Sequence, residues 1–272
     1  MDWRFFCFSF FLLVFTTLQF FYPSRRIKTN WPKRWLHHLS LGAFGGIVAL
    51  PFSAISAAYL SHVNSWGLLP WLPLPFWLTV FLSVLLLDFV IYWQHRWFHN
   101  IDSLWRLHRV HHSDQDFETS TAIRFHPLEI ALSMMIKVSV IIIFGIPVIA
   151  VLIFEIILNG CALFNHSNFS LPQPIEQHVR KIFVTPDMHR IHHSIDHREM
   201  NTNFGFCLSW WDFLCRTYTE KPTQHPQEFP LGVRNLATPT TLIDLLRQPW
   251  MNTTSTESHT EPKLSEQSQK LP

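Results

Sequence analysis

A set of apolar runs close to twenty residues long narrows most sharply what this 272-residue chain can fold into. Residues 5–22 are almost uninterrupted, residues 39–60 are apolar with small side chains, and residues 76–94 hold one charge, Asp88. At about 1.5 Å of rise per residue, about 20 apolar residues carry a helix across the hydrocarbon of a bilayer. No water lies there to satisfy backbone groups, so such segments fold as helices. A fourth stretch, 128–164, is too long for one span, and Gly145-Ile146-Pro147 interrupts it as the tip of a helical hairpin would. The sequence predicts an all-α integral membrane bundle of about three spans plus a hairpin.

Composition agrees and excludes other classes. Charged residues make up 15% of the chain, where a soluble domain carries about 25%. A net charge of +2 is too mild for a nucleic-acid footprint, so no nucleic-acid partner is expected. Cys7, Cys161, Cys207 and Cys215 form no C-x-x-C pair, which argues against a disulfide framework or a zinc ribbon. The first run reads as a retained anchor: its core is too long for a leader, Asp2 spoils a basic start, and no small-residue cleavage site precedes Pro23.

Loop charges give an orientation. Residues 23–38 contain Arg25, Arg26, Lys28, Lys33 and Arg34, whereas 61–75 contain no Lys or Arg. The positive-inside rule puts the first of these loops in the cytoplasm. The third span then returns there and delivers His95, and the hairpin starts and ends on the same side. Residues 95–127 and 165–250 therefore share one compartment, as a cytoplasmic helical cap. The absence of an endoplasmic-reticulum retrieval signal points to a bacterial inner membrane.

Histidine is the anomaly, with 17 residues against 19 Asp and Glu together. Three boxes stand out in that cap: His95-Arg-Trp-Phe-His99, His108-Arg-Val-His111-His112 and His189-Arg-Ile-His192-His193. On a helix, positions i, i+3 and i+4 form one patch, so each box presents two or three imidazoles together. Eight imidazoles exceed the three or four ligands of a zinc ion and suit two metal ions side by side. The first box lacks the Glu of H-E-x-x-H, which disfavours a zinc protease. His37, His38, His62, His178, His225 and His259 read as surface or satisfied core residues. A histidine-rich membrane metal transporter is the alternative, but transport predicts ionisable groups along several spans, not at one end. A haem protein needs about two axial histidines, not triplets.

Metal-bound histidines need partners that fix tautomer and ring angle. Asp88 lies seven residues before His95, about two turns, on the same face, and a charge inside a span is costly and usually functional. The alternative for Asp88 is a bond to a neighbouring helix. Glu129 and Asp187 are further candidates for the same supporting role. Lys137 and Glu155 lie nine residues either side of the Ile146 tip, at one depth of the hairpin, which predicts a structural ion pair.

The three boxes, together with Arg124-Phe-His-Pro-Leu-Glu129, Phe164-Asn-His-Ser-Asn168, Thr185-Pro-Asp-Met-His189 and Asn203-Phe-Gly205, resemble the fatty acid hydroxylase / sterol desaturase superfamily, in particular its bacterial sterol-desaturase-like branch. The resemblance covers roughly residues 80–235. It implies a membrane oxygenase with two non-haem iron ions that uses O2 to hydroxylate or desaturate a C–H bond of a lipid, sterol- or hopanoid-like or fatty acyl. It makes the eight box histidines metal ligands and His166 a ninth. Asn165, His126 and His197 then become supporting or substrate-side residues. One departure is Cys215-Arg216, where the family more often has Phe-Gly; an effect on packing is expected there.

No flavin or dinucleotide fingerprint is present, so electrons would come from a separate ferredoxin- or cytochrome b5-like protein. Arg96, Arg106, Arg109, Arg180 and Lys181 are candidates for docking it, although anchoring at the membrane face suits most of them better. The expected organisation is 1–75 as membrane anchor spans, 76–250 as the catalytic domain and 251–272 as a disordered tail.

Overall fold

The computed structural model describes residues 3–62, 67–224, 229–236, 239 and 241–252, with only the backbone over 54–62. His225, His259, the side chain of His62 and the tail from 253 onward lie outside the described residues. Among the described residues the fold is helical, and β-structure is limited to two isolated bridges.

Five helices are long and apolar enough to cross a membrane. They are α1 (Trp3–Phe21), α2 (Trp31–His62), α3 (Phe76–Asn100), α5 (Pro127–Phe144) and α6 (Val148–Asn165), with α4 (Asp102–His112) between the third and fourth; the short helices α7 (Gln173–Val179), α8 (Pro186–His192), α9 (His197–Met200) and α10 (Trp210–Cys215) follow. The start of α2 precedes its apolar run by eight residues. Asn30 accepts from the backbone N–H of Lys33 at 3.1 Å and Pro32 sits in the first turn, so a start signal extends the helix into the polar segment. The predicted hairpin tip is present: Gly145 ends α5 at φ +65° and Pro147 caps α6. Each limb has 18 residues, about 27 Å of helix at the standard rise.

The limbs take different partners. Helix α2 packs along α5, α1 packs along α6, and α3 packs on α6 and α4. Contacts fix the directions. Phe15 meets Phe164 with ring centroids 5.6 Å apart, and Gln19 accepts from the N–H of Asn168 at 3.1 Å, so α1 runs parallel to α6. Leu68 just beyond α2 donates to the Ile143 carbonyl at 3.1 Å, beside the tip. Thus α1, α3 and α6 end at the pole opposite the tip, where α2 and α5 begin. Leu87, Ile141, Ile146, Ala150, Val151 and Phe154 form the buried core of the tip half.

The expected ion pair is formed, with Lys137 Nζ 2.8 Å from Glu155, and Arg4 of α1 joins at 3.0 Å. The N-terminal helices are also clamped to the rest by a buried polar network. The Gln19 amide donates to Glu118 at 2.7 Å and accepts from the backbone and hydroxyl of Thr119 at 2.9 and 2.7 Å. Arg34 grips Asp114 at 2.7 and 3.0 Å and Glu118 at 2.8 Å. Arg34 is therefore a core cation and not a loop charge; the exposed basic residues of this stretch are Arg26, Lys28 and Lys33. His38 donates to Ser120 and accepts from Arg124, a satisfied core histidine, whereas His178 is exposed.

Candidate metal centre

Four elements meet at the pole opposite the tip. Helix α3 carries His95 and His99 in its last turns, and α4 carries His108, His111 and His112. His166 caps the C-terminus of α6. The short helix α8 (Pro186–His192) brings His189 and His192, with His193 as its C-cap. Its sequence explains its start: Thr185 caps by accepting from the N–H of Met188 at 3.3 Å, and Pro186 occupies the first turn.

The nine histidines fall into two groups, His95, His99, His108, His112 and His192 in one and His111, His166, His189 and His193 in the other. Within each group one nitrogen per residue lies within 4.8 Å of the others. The spacing of the two longer boxes causes the division. His108 and His112, at i and i+4, face the first group, while His111 is rotated toward the second. In α8 the pair His189 and His193 faces the second group and His192 the first. The two boxes thus contribute to both groups, and the stacked rings of His112 and His193, 4.2 Å apart, join them.

Hydrogen bonding fixes several tautomers. Nδ1 of His95 donates to the Phe204 carbonyl at 2.8 Å, that of His192 to the Thr202 carbonyl at 2.8 Å, and that of His166 to the Ala162 carbonyl at 2.7 Å. A carbonyl only accepts, so in each neutral ring the proton is on Nδ1 and Nε2 presents a lone pair. Yet Nε2 of His95 lies 3.0 Å from Nε2 of His192, and Nε2 of His166 lies 3.0 Å from that of His111 and 3.1 Å from that of His189. For His95 and His192 two lone pairs therefore face each other, which suits a cation between them, and the lone pair of His166 points at His111 and His189. Both ring nitrogens of His99, His112 and His193 are buried with no hydrogen-bond partner. Burial also keeps six of the rings outside the spans neutral. It lowers His192 to about 3 and His166 to about 4, and holds His111, His112, His189 and His193 well below the usual value. Neutral, unpartnered and convergent imidazoles fit metal ions.

The supporting residues are distributed differently from the sequence expectation. Glu129 touches a box directly, accepting from His108 Nδ1 at 2.6 Å. Asp88 instead accepts from the N–H groups of Cys207 and Leu208, both at 3.2 Å, and from the Trp211 indole at 2.8 Å. It acts on the loop that supplies the Phe204 carbonyl, and the carboxylate itself bonds no histidine. Asp187 pairs with Arg190 at 2.6 Å; Arg190 lies over the ring of Phe117, which stacks on His166 with centroids 5.4 Å apart. Asn165 donates to the Phe206 carbonyl at 2.6 Å. His126 caps α5 and bonds the Leu246 carbonyl, and His197 is exposed, so neither joins the two groups.

Asp212 was not among the expected residues. It accepts from the N–H groups of Phe204 and Gly205, both at 2.8 Å, and from the Thr217 hydroxyl at 2.7 Å. Burial pushes its carboxyl up to about 7. Gly205 is required there, since a Cβ would lie 2.6 Å from Asp212. The sequence marks Asp212 only by proximity to Asn203-Phe-Gly205. At the Cys215-Arg216 departure, Arg216 ends α10 (Trp210–Cys215) at φ +58°, a left-handed position that favours glycine, so the difference lies in backbone conformation. Of the basic residues considered for docking, Arg109 and Arg180 are buried and bonded to backbone carbonyls, whereas Arg106 and Lys181 are exposed.

A cavity of about 320 Å³ abuts the centre. His95, His108, His111 and His189 line one part of it, apolar residues of α1, α2, α3, α5 and α6 line most of the remainder, and Gln94, Glu129, Ser133 and Asn159 add polar groups. Three adjacent small positions of α2, Gly42, Gly45 and Gly46, form one wall; a Cβ on Gly46 would meet nothing within 4 Å.

The chain is 30% identical over 160 residues to the ornithine lipid hydroxylase OlsE of Rhizobium tropici, covering 58% of this chain and 46% of that protein. It is 30% identical over 195 residues to the alkylglycerol monooxygenase of Xenopus tropicalis, and 28% identical over 191 residues to that of Homo sapiens; each comparison covers 67% of this chain and 40% of the relative. The chain thus spans less than half the length of these curated relatives. No solved structure matches it. The profile of the fatty acid hydroxylase family matches residues 80–217, which hold every histidine of both groups. Since that match covers half of the chain, the protein belongs to the fatty acid hydroxylase family of the fatty acid hydroxylase / sterol desaturase superfamily.

Proposed function

We propose that the protein is an integral-membrane lipid hydroxylase that uses O2 and two non-haem iron ions. What carries the reading is the division of nine histidines into two convergent groups, with the lone pairs of His95 and His192 facing one another in the first. One iron would be held by His95, His99, His108, His112 and His192, the other by His111, His166, His189 and His193. Iron bound there supplies, with O2, the oxidising power that side chains lack for an unactivated C–H bond. The residues of the chain do the rest. The carbonyls of Phe204, Thr202 and Ala162 and the Glu129 carboxyl hold four rings in one tautomer, and the loop pinned by Asp88 and Asp212 keeps the first of these carbonyls in place. The apolar cavity lets a lipid chain lie against the histidines and excludes water around it.

Hydroxylation is favoured over desaturation because the two kinds of relative named above are a hydroxylase and a monooxygenase. Overall, R–H, O2, two electrons and two protons give R–OH and water, so an electron donor is required. The exposed Arg26, Lys28 and Lys33 support a cytoplasmic position for the histidine pole. The oxygenase is preferred to a transporter because all metal-competent groups among the described residues lie at this one pole.

Elemental analysis of protein purified from iron-supplemented cells tests the reading. About two irons per chain are expected. His111→Ala, which opens one of the two groups, should lose about half of that iron or more. Unchanged iron in His111→Ala, or a folded wild type without metal, would overturn it. Comparison of cellular lipids with and without the protein should then show a hydroxylated species.

A further inference from the structure

The cavity beside the histidines is apolar along most of its wall, with Leu41, Ile91, Ile123, Ile130 and Leu158 among its lining. Two polar side chains that line it are only half satisfied. Gln94, the residue before His95, donates from Nε2 to Ser133 Oγ at 2.7 Å, while its Oε1 is buried and accepts from nothing. Glu129 receives the His108 proton on Oε1 at 2.6 Å, and its Oε2 is likewise buried without a partner. The two residues are 8% and 4% exposed. Glu129 and Ser133 lie four residues apart on α5, hence on one face, and Ser133 ties that face to Gln94 on α3. Two unpaired acceptors therefore belong to one polar patch next to the metal ligands, in a cavity whose remaining lining is apolar apart from the histidines and Asn159, whose amide donates to the Glu155 carbonyl at 2.8 Å. A buried acceptor keeps its full desolvation cost until a donor reaches it.

We infer that the substrate brings a hydrogen-bond donor, a hydroxyl or an amide N–H, to Gln94 and Glu129, so that the carbon oxidised lies within a few bonds of that group. This rests on the lipid hydroxylase reading and names the substrate class of the same cavity. A lipid whose only polar atoms near the reacting carbon are ester oxygens leaves both acceptors unpaired, and so does a bare hydrocarbon. A site built to receive a donor discriminates strongly against a ligand that lacks it.

The test uses the full-length protein in nanodiscs, with tritiated palmitamide as the probe and unlabelled palmitamide, hexadecan-1-ol and methyl palmitate as competitors. Palmitamide and methyl palmitate share the acyl chain and the carbonyl; only the amide has a donor. The amide and the alcohol should compete at least about tenfold better than the ester, a ratio typical of one well-formed hydrogen bond. In Gln94→Leu the ratio should fall to about twofold or less, with iron content as in wild type. Ser133→Ala, which frees the Gln94 amide to turn, is the second variant and should also reduce the ratio. Gly46→Leu, which fills the cavity, should weaken all three competitors together. Equal competition by ester and amide in the wild type, or an unchanged ratio in both Gln94→Leu and Ser133→Ala, would overturn the inference. Insensitivity of binding to Gly46→Leu would overturn it as well. None of these outcomes bears on the iron content or on the hydroxylated lipid, so failure here is distinct from failure of the hydroxylase reading.

Discussion

Single residues at the centre are held in states that water alone would not favour. Burial lowers His166 to about 4 and His192 to about 3, from an ordinary value of 6.5. As pH falls below 6.5, the unfolded chain takes up protons that the folded rings refuse until about 4 or 3. The stability contributed by these rings is complete above 6.5 and lost as pH falls from there toward 4. Metal-free protein should therefore show a Tm that is flat above pH 7.5 and declines between pH 7 and 5; a flat profile over that interval would contradict neutral burial. Arg216 is a simpler case. Its left-handed conformation costs a side-chain-bearing residue about 1 kcal/mol, and Arg216→Gly should raise stability by up to that amount in thermal unfolding, with iron content unchanged. The histidine boxes were legible at this scale because i, i+3 and i+4 spacing is a local property of a helix. Asp212 was not, because its hydrogen bonds to Phe204 and Gly205 arise from a loop that no periodicity describes.

Among the elements, the loop between α9 and α10 matters as much as the helices that bear the histidines. Asn203 opens it at φ +53° and spans it with bonds from its amide to the Met188 and Thr219 carbonyls. Asp88 holds one part of the loop and Asp212 the other, and between them the Phe204 carbonyl receives the His95 proton. Asp212→Asn turns an NH2 toward a backbone N–H that needs an acceptor. It should lower iron affinity by about tenfold, the smaller end of the effect seen when a ligand's hydrogen-bonding partner is disturbed. Titration with a competing chelator measures this, and wild-type affinity in the variant would show that the loop does not orient His95. The sequence pointed to Asp88 from its cost inside a span and its register with His95. Its target is a different segment, 119 residues away along the chain, and helical register carries no information about such a partner.

For the whole molecule, the N-terminal helices are integral to the centre and its cavity. Helix α1 docks on α6 through Phe15 and Gln19, and α2 supplies a cavity wall through its glycines. The Gln19 amide makes hydrogen bonds with Glu118, Thr119 and Asn168, in the segments that lead into α5 and out of α6. Gln19→Leu would strand several buried partners at once and should destabilise the protein by about 3 kcal/mol. Thermal unfolding in detergent measures it, and a loss below about 0.5 kcal/mol, the range of an ordinary surface substitution, would mean that α1 is only an anchor.

The helical class, the number of apolar segments, the hairpin tip and the nine histidines are legible in the sequence, because hydrophobic length, helix-breaking residues and helical spacing are written into short stretches of chain. The sharing of each longer box between two groups also follows from local geometry, since adjacent residues point about 100° apart on a helix. Which histidines converge with which was decided only when α3, α4, α6 and α8 packed at one pole. The carbonyls that fix their tautomers, the acceptors left open at Gln94 and Glu129, and the burial of Arg34 likewise came from tertiary structure. Each depends on segments distant in sequence meeting where water is excluded, and there an unpaired polar atom is costly enough to dictate its partner.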